Sequence, residues 1–429
     1  MKQRAKLTRF AEKRSDDLNK FYTRSAVGQL LCDHLDITQP RSVIDLGAGE
    51  GSLSVAVAER WPDASFVAVD IDPSSAPSLK ERLNALGVER HEHFLSDVLS
   101  TKLESVGGHG EFDLAVCNPP FFRPGWRREF TDFLDAANLG QAVPNQEVNA
   151  EEVFLAQNIL ALRDGGTLAV IVPDGMMTAR RSQRLRRALL LQHSVETVIQ
   201  LPNNAFQDTD AYCFIMILKK GAGPSKEVKL LQYHKKTGLS EAIIVSAAAA
   251  ESRMDFDYHV THRSSPNDAL TLRMLGADIR RGSLNSVELR AADYSTFHTN
   301  GYDRPILNLE GEIPEEIAKK VVVAEPGDIL VARIDRNFHK KVAIVEAGRA
   351  AITDCVYRVR IPEAFQQAVF TALRSPEGEA VLKASSKGVS ARLLGKSDFL
   401  DLPLPVEGNE LRLLAKELGE KRESFPLLL

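Results

Sequence analysis

"VIDLGAGEGSLSVAVAERW", residues 43 to 61, decides the fold. An apolar run of strand length breaks into three glycines at alternate positions, and a helical pattern follows at once. Gly47, Gly49 and Gly51 let the backbone take positive φ and pass close to a bound molecule, which a Cβ would resist. The spacing is GxGxG rather than GxGxxG, and no lysine follows as a phosphate-cradling loop requires, which weakens a dinucleotide reading. The next apolar run, FVAVDID, carries Asp70, 19 residues after Gly51. A carboxylate there can accept both hydroxyls of a ribose. The run after it, HFLSDV, carries Asp97.

From Ser42 to about Lys220, runs of strand length alternate with helical stretches: SVIDL, SFVAVDI, FDLAVC, TLAVIVP and VETVIQL are separated by SLSVAVAERW, SLKERLNAL, EEVFLAQNILALR and RLRRALLLQ. That alternation predicts βαβ units and a doubly wound, mostly parallel sheet of seven strands covered on both faces. The last two strands, VIQLP and AYCFIMILKK, are linked too briefly for a helical crossover and are expected as an antiparallel hairpin at the sheet edge. Asp45, Asp70 and Asp97 then sit at the carboxyl ends of three successive strands, where such sheets bind ligands. Taken singly, each acid reads as a helix cap or turn residue. In order, with the glycines, they define a crevice.

The totals set bounds on the rest. At 429 residues the chain is long enough for two or three domains, and 44% hydrophobic with 26% charged residues is the composition of a soluble globular protein. The apolar runs are too short to cross a bilayer, and no charged-then-apolar leader opens the sequence, so no membrane partner and a cytoplasmic location are expected. Cys32, Cys117, Cys213 and Cys355 are scattered and form no CxxC pair, so neither a disulfide framework nor a metal site is expected. A net charge of -4 does not advertise a polyanion partner. Local charge does: Arg180, Arg181, Arg184, Arg186 and Arg187 form one acid-free run, and Arg123, Arg127 and Arg128 another. Either run also reads as a solvated helix face.

The glycine turn with its three acids resembles the class I S-adenosylmethionine-dependent methyltransferases. That resemblance implies S-adenosyl-L-methionine as cofactor, with Gly47, Gly49 and Gly51 facing its methionine moiety, Asp70 holding the ribose, Ile71 lying against the adenine and Asp97 meeting the adenine amine. It also gives meaning to "AVCNPPFFRP", residues 115 to 124, where an apolar strand ends in an amide, two prolines and two aromatic rings. An exocyclic amine on a nucleobase is a poor nucleophile because its lone pair is delocalised into the ring. The Asn118 side-chain oxygen and the Pro119 carbonyl can together accept its two hydrogens and free that lone pair for in-line attack on a methyl group. Pro119 and Pro120 fix the turn, and Phe121 offers a ring on which a planar base stacks. A base held this way has to be flipped out of a duplex.

A bare Asn-Pro-Pro is a common turn. At the end of the fourth strand it resembles the motif of the amino-methyltransferases, which act on adenine N6, on guanine N2 of ribosomal RNA, or on a glutamine amide of protein. "NKFYTRSAVGQLL" at 19 to 31 is similar to the FYTP segment of the γ order of DNA adenine N6 methyltransferases, whose tyrosine and threonine region closes over the methionine end of the cofactor. That implies roles for Tyr22 and Thr23, with Arg24 standing where proline is usual. "LRDGGTLAVIVPDGMM" and "LPNNAFQDTDAYCFIMILKK" resemble the later strands of type I modification subunits. The long N-terminal helical domain of those subunits has no counterpart, so a free-standing enzyme is expected.

After "KKGAGPSKE" at 219 to 227 the texture changes to short β-like pieces, VVVA, DILVARI, KVAIV and CVYRVRI, with helices after them, as in a smaller α+β domain. Residues 325 to 406 resemble one target recognition domain of the type I specificity subunits, including the closing LPLPV, with "ESRMDFDYH" at 251 to 259 a fainter echo of its start. Arg333, Arg336, Lys340 and Lys341 suit phosphates or guanine edges, as Arg123 and Arg127 do in the first domain. Specificity subunits carry two such domains, so either a monomer reads a short asymmetric site or a homodimer reads a bipartite site. A separate cognate restriction endonuclease is a further possible partner; Asp174 with Glu227 and Lys229 only superficially resembles a nuclease site. The expected division is a helical segment over 1–38, a methyltransferase domain over 39–220, a linker over 221–250 in which VKLLQYH could add a strand, and a DNA recognition domain over 251–429. Three activities stay open: a sequence-specific DNA adenine N6 methyltransferase first, then an RNA or protein amino-methyltransferase, then a non-catalytic DNA-binding subunit.

Overall fold

The computed structural model of the chain describes residues 25–106, 108–144, 147–203, 205–206, 212–263, 269–387 and 392–406. Tyr22 and Thr23 fall outside the described residues. By its internal contacts the chain divides into two compact units, one ending at Phe256 and one beginning at Asp257.

The first unit is built on one sheet. Its strands are β1 (Ser42–Leu46), β2 (Ser65–Asp70), β3 (His91–Leu95), β4 (Phe112–Cys117), β5 (Leu162–Pro173), β6 (Ser194–Gln200), β7 (Cys213–Lys219), β8 (Glu227–His234), β9 (Gly238–Leu239) and β10 (Ile243–Ser246). Across the sheet the order is β10-β8-β6-β7-β5-β4-β1-β2-β3, with β9 paired to β8. β3, β2, β1, β4 and β5 run parallel. Along β4, Leu114 and Val116 enter one hydrophobic core and Ala115 and Cys117 the other. Both cores are buried, which is why the strands read as unbroken apolar runs rather than alternating ones. The helices that cover them include α1 (Ser25–Asp33), α2 (Ser52–Arg60), α3 (Ser75–Ala85), α4 (Arg128–Ala136), α5 (Ala150–Ala161) and α6 (Gln183–Gln192).

Two expectations change here. β7 is antiparallel to β6, but it does not close the sheet edge: it lies between β5 and β6, antiparallel to both. The reason is its composition. Six of its seven residues, Cys213 to Leu218, are buried, and each large apolar side chain so placed contributes about 1.5–3 kcal/mol, which an edge position would partly forfeit. Residues 221–250, read as a linker, carry β8 to β10, which extend the sheet beyond seven strands. β8 pairs in parallel with β6, and its buried Leu230 and Leu231 enter the two cores on opposite faces of the sheet.

The first unit also holds the start of "ESRMDFDYH". Arg186, fully buried, donates to the carbonyls of Met176, Ala179, Glu251 and Ser252. A buried guanidinium needs such acceptors, and it binds residues 251 and 252 to α6.

The second unit is α+β. A five-stranded sheet of order β11-β19-β15-β17-β13 is joined by a three-stranded sheet, β12-β18-β14, and a two-stranded one, β16-β20. These strands are β11 (Asp278–Arg281), β12 (Thr296–Phe297), β13 (Ile306–Asn308), β14 (Val323–Ala324), β15 (Ile329–Ala332), β16 (Ile334–Asp335), β17 (Val342–Ala347), β18 (Ala350–Ile352), β19 (Val356–Arg360) and β20 (Arg392–Leu393). Helices Glu363–Arg374 and Pro376–Ser385 cover it around a core that includes Phe338, Phe365 and Phe399.

Candidate active site

The turn after β1 is held by backbone. The amides of Gly47 and Ala48 donate to the Val69 carbonyl at 2.7 and 3.1 Å, and Gly51 donates to Ala48 at 2.8 Å. Gly47 sits at φ 80°, and a Cβ there would stand 2.9 Å from the Phe154 ring of α5. At Gly49, φ 52°, a Cβ would meet nothing within 4 Å. Its open side belongs to a cavity of about 320 Å³, within the range of small-molecule sites.

Asp70, at the end of β2, closes one wall. Its Oδ2 accepts from the Gly49 amide at 2.7 Å and its Oδ1 from the Asp72 amide at 2.8 Å. Each oxygen keeps a second lone pair. Asp45 is buried beneath the turn, and its Oδ2 accepts from the Ser54 hydroxyl at 2.7 Å. Burial pushes its carboxyl up to about 7; the Ser54 bond opposes the shift and the charge of Asp70 adds to it. Asp97 pairs with Arg127 at 3.0 Å and accepts from the Leu99 amide at 3.0 Å. Asp45, Gly47, Gly49, Asp70, Ile71 and Asp97 all line the cavity, and so does Glu50. Gly51 starts α2 from a left-handed conformation, φ 78°, and a Cβ there would run into Leu79.

The turn after β4 forms the facing wall. β4 is buried along its whole length, and the Cys117 thiol donates to the Leu46 carbonyl at 3.0 Å. Asn118 is the next residue, and with Pro119 and Pro120 it lines the same cavity as the glycine turn. The ring this loop brings to the cavity is Phe122, whose carbonyl accepts from the Ala150 amide at 3.0 Å and so ties the loop to α5; Phe154 of α5 lines the cavity as well. Phe121 is half-buried against the core on the sheet's other face, with Val116, Leu201 and Phe206.

The sequence signal missed Phe122 and Phe154, which carry no motif beyond apolar spacing. Arg127, read as a nucleic-acid contact, lines the cavity with Asp97 and stands 5.9 Å from the Phe130 ring. Arg123 is exposed. In the second unit, Arg336 and Lys340 are exposed, but two other expected contacts are engaged internally. Arg333 donates to the Asp354 carbonyl at 3.0 Å, and Lys341 holds Asp335 and the Thr299 carbonyl, each at 2.8 Å. Among the described residues no helix is long and apolar enough to cross a membrane.

A sheet of this order, with a glycine turn, acids at the ends of β1, β2 and β3 and Asn-Pro-Pro after β4 around one cavity, defines a class I methyltransferase. The chain belongs to the N-6 DNA methylase family, whose model matches residues 5–243, more than half of its length. It is similar to the Type II methyltransferase M.XamI of Xanthomonas campestris pv. amaranthicola, 29% identical over 158 residues, covering 35% of this chain and 29% of that protein. It is also similar to a tRNA1(Val) (adenine(37)-N6)-methyltransferase of Porphyromonas gingivalis, 36% identical over 87 residues, 20% of this chain and 33% of that one. The matched regions span about a third of those relatives' own lengths. Among solved structures, the type IIG restriction endonuclease BpuSI shares the fold with TM-score 0.50 and 15% identity, over 94% of this chain and 61% of that one.

Proposed function

We propose that the chain methylates the N6 amine of an adenine flipped out of double-stranded DNA, with S-adenosyl-L-methionine as donor, in a restriction-modification or related defence setting. The observation that carries this reading is the placement of Asn118 and Pro119 on the wall of the cavity that the glycine turn and Asp70 enclose.

The residues fit the cofactor. The open side of Gly49 leaves the room a Cβ would fill, and Asp70 has lone pairs for the ribose hydroxyls. Ile71 offers an apolar face, and Asp97 with Arg127 closes the adenine end. The bound cofactor supplies an electrophilic methyl on a sulfonium. Asn118 Oδ1 and the Pro119 carbonyl accept the two amine hydrogens and turn the nitrogen lone pair toward the methyl. The prolines hold both acceptors in place, so little orientation is lost at the moment of transfer. As the N–C bond forms, the electron pair of the breaking C–S bond stays on sulfur and the amine gives up one proton to solvent. Phe121 and Phe122, on opposite sides of the turn, supply rings for the flipped base and the cavity.

The second unit, in this reading, is a DNA recognition domain that presents Arg336 and Lys340, with Arg123 contributing from the first. A homodimer and a cognate endonuclease are the partners this arrangement suits. Supply tritiated S-adenosylmethionine with duplex DNA, ribosomal RNA and cell protein together. Label in DNA supports the reading, and label confined to RNA or protein sinks it. The tRNA-modifying relative favours RNA as the second reading, and the same experiment decides it.

A further inference from the structure

The arginine run after β5 looks uniform in sequence and is not uniform in space. Arg186 is buried among four carbonyls, and Arg187 lies 4.0 Å from Glu251. Arg180, Arg181 and Arg184 are exposed, and none forms an ion pair among the described residues. The same holds for Arg123, in the loop after β4, and for Arg128, the first residue of α4.

These two loops are neighbours. β4 and β5 pair in parallel, with Cys117 opposite Val170, so the chain leaves both strands at one edge of the sheet, the edge where Asn118 stands. A second observation brings the side chains together: Glu152, at the start of α5, lies within the fields of both Arg181 and Arg123. Its carboxylate accepts from the Asn149 amide at 2.8 Å as one half of a capping box, and both Glu151 and Glu152 are pushed upward mainly by burial, Glu151 to about 7. Glu151 is buried and Glu152 half-buried, whereas all five of these arginines are exposed.

We propose that Arg123, Arg128, Arg180, Arg181 and Arg184 form a phosphate-binding surface of the methyltransferase unit, gripping the DNA backbone that flanks the extruded base. The inference rests on the DNA reading above and deepens it: nucleic-acid affinity is built into the catalytic unit and does not depend on the second unit alone. Five guanidiniums from the stretches that follow β4 and β5 match a polyanion whose charges recur along a backbone. A glutamine-bearing protein substrate has no use for them.

The test needs no knowledge of the recognised sequence, because phosphate contacts govern non-specific binding. Binding of the full chain to a fluorescent DNA duplex is followed by anisotropy across a salt series, for wild type, R181Q/R184Q, R123Q/R128Q and the matching Arg→Lys pairs. Cofactor affinity and Tm are recorded for each to establish that the fold is intact. The expected result is a slope of log K against log salt that falls by about 0.9 for each phosphate contact removed. Duplex affinity should drop about tenfold per Gln pair at low salt, a step of about 1.4 kcal/mol, with cofactor affinity unchanged and the Lys pairs keeping most of the slope. Folded Gln variants with the wild-type slope overturn the surface while leaving the DNA reading standing. Wild type that shows no salt-dependent duplex binding, or prefers a folded RNA competitor, overturns the DNA reading itself.

Discussion

RRSQRLRR at 180–187, after β5, and RIDRNFHKK at 333–341, between β15 and β17, are both dense basic runs, and each divides in the same manner. In the first, Arg186 is buried under backbone carbonyls while Arg181 and Arg184 face solvent. In the second, Lys341 and Arg333 are spent on Asp335, Thr299 and the Asp354 carbonyl while Arg336 and Lys340 face solvent. A cation flanked by apolar residues at core spacing is drawn inward and must find acceptors; its neighbours one or two positions along remain outside. Charge counted along the chain therefore overstates the charge offered to a partner.

The largest effect belongs to the site itself. Asn118→Ala should lower methyl transfer by about 10³-fold or more, the scale of losing one positioned polar group at a reacting centre, with cofactor affinity by calorimetry unchanged. Retained activity would refute the acceptor role. Next comes the split within the first run. Arg186→Ala leaves four carbonyls without their donor and should cost about 3–5 kcal/mol, whereas Arg184→Ala should stay within about 0.5 kcal/mol. Urea denaturation of the two variants breaks the comparison if the costs are alike. The second run sharpens it at smaller scale: Lys341→Ala should cost about 1–2 kcal/mol and Lys340→Ala almost nothing.

The last effect is a pH dependence. The folded state raises the Asp45 carboxyl from 3.8 to about 7, so it binds that proton more tightly than the unfolded chain. The contribution of Asp45 to stability is thus fully present below about pH 4, is lost as pH rises to about 7 and is level above, a change on the order of a few kcal/mol. A thermal-melt series from pH 5 to 8 should show the decline, and Asp45→Asn should flatten it.

Much of the site was legible because parallel topology does the gathering. Once Asp45, Asp70, Asp97 and Asn118 are each assigned to the end of a strand, a doubly wound sheet brings them to one edge whatever lies between. The described structure places all four around one cavity. What escaped has physical reasons too. Spatial order is not chain order: the apolar run of β7 marks a strand covered on both faces but not the pair of strands, β5 and β6, between which it enters. Phe122 and Phe154 are rings among other apolar residues, and only the packing shows that Phe154 is the neighbour that keeps Gly47 a glycine. Arg127 was grouped with Arg123 by charge, yet the turn sends it to Asp97. The extent of the sheet past residue 220 hid behind glycines and a proline that mark a turn, not a domain boundary.

One measurement bears most directly on the central claim. Duplex DNA incubated with the full chain and a methyl-deuterated donor is digested to nucleosides and resolved by mass spectrometry. The account predicts deuterated N6-methyl-2′-deoxyadenosine that disappears with Asn118→Ala. DNA left unlabelled, or a label that survives Asn118→Ala, would contradict it.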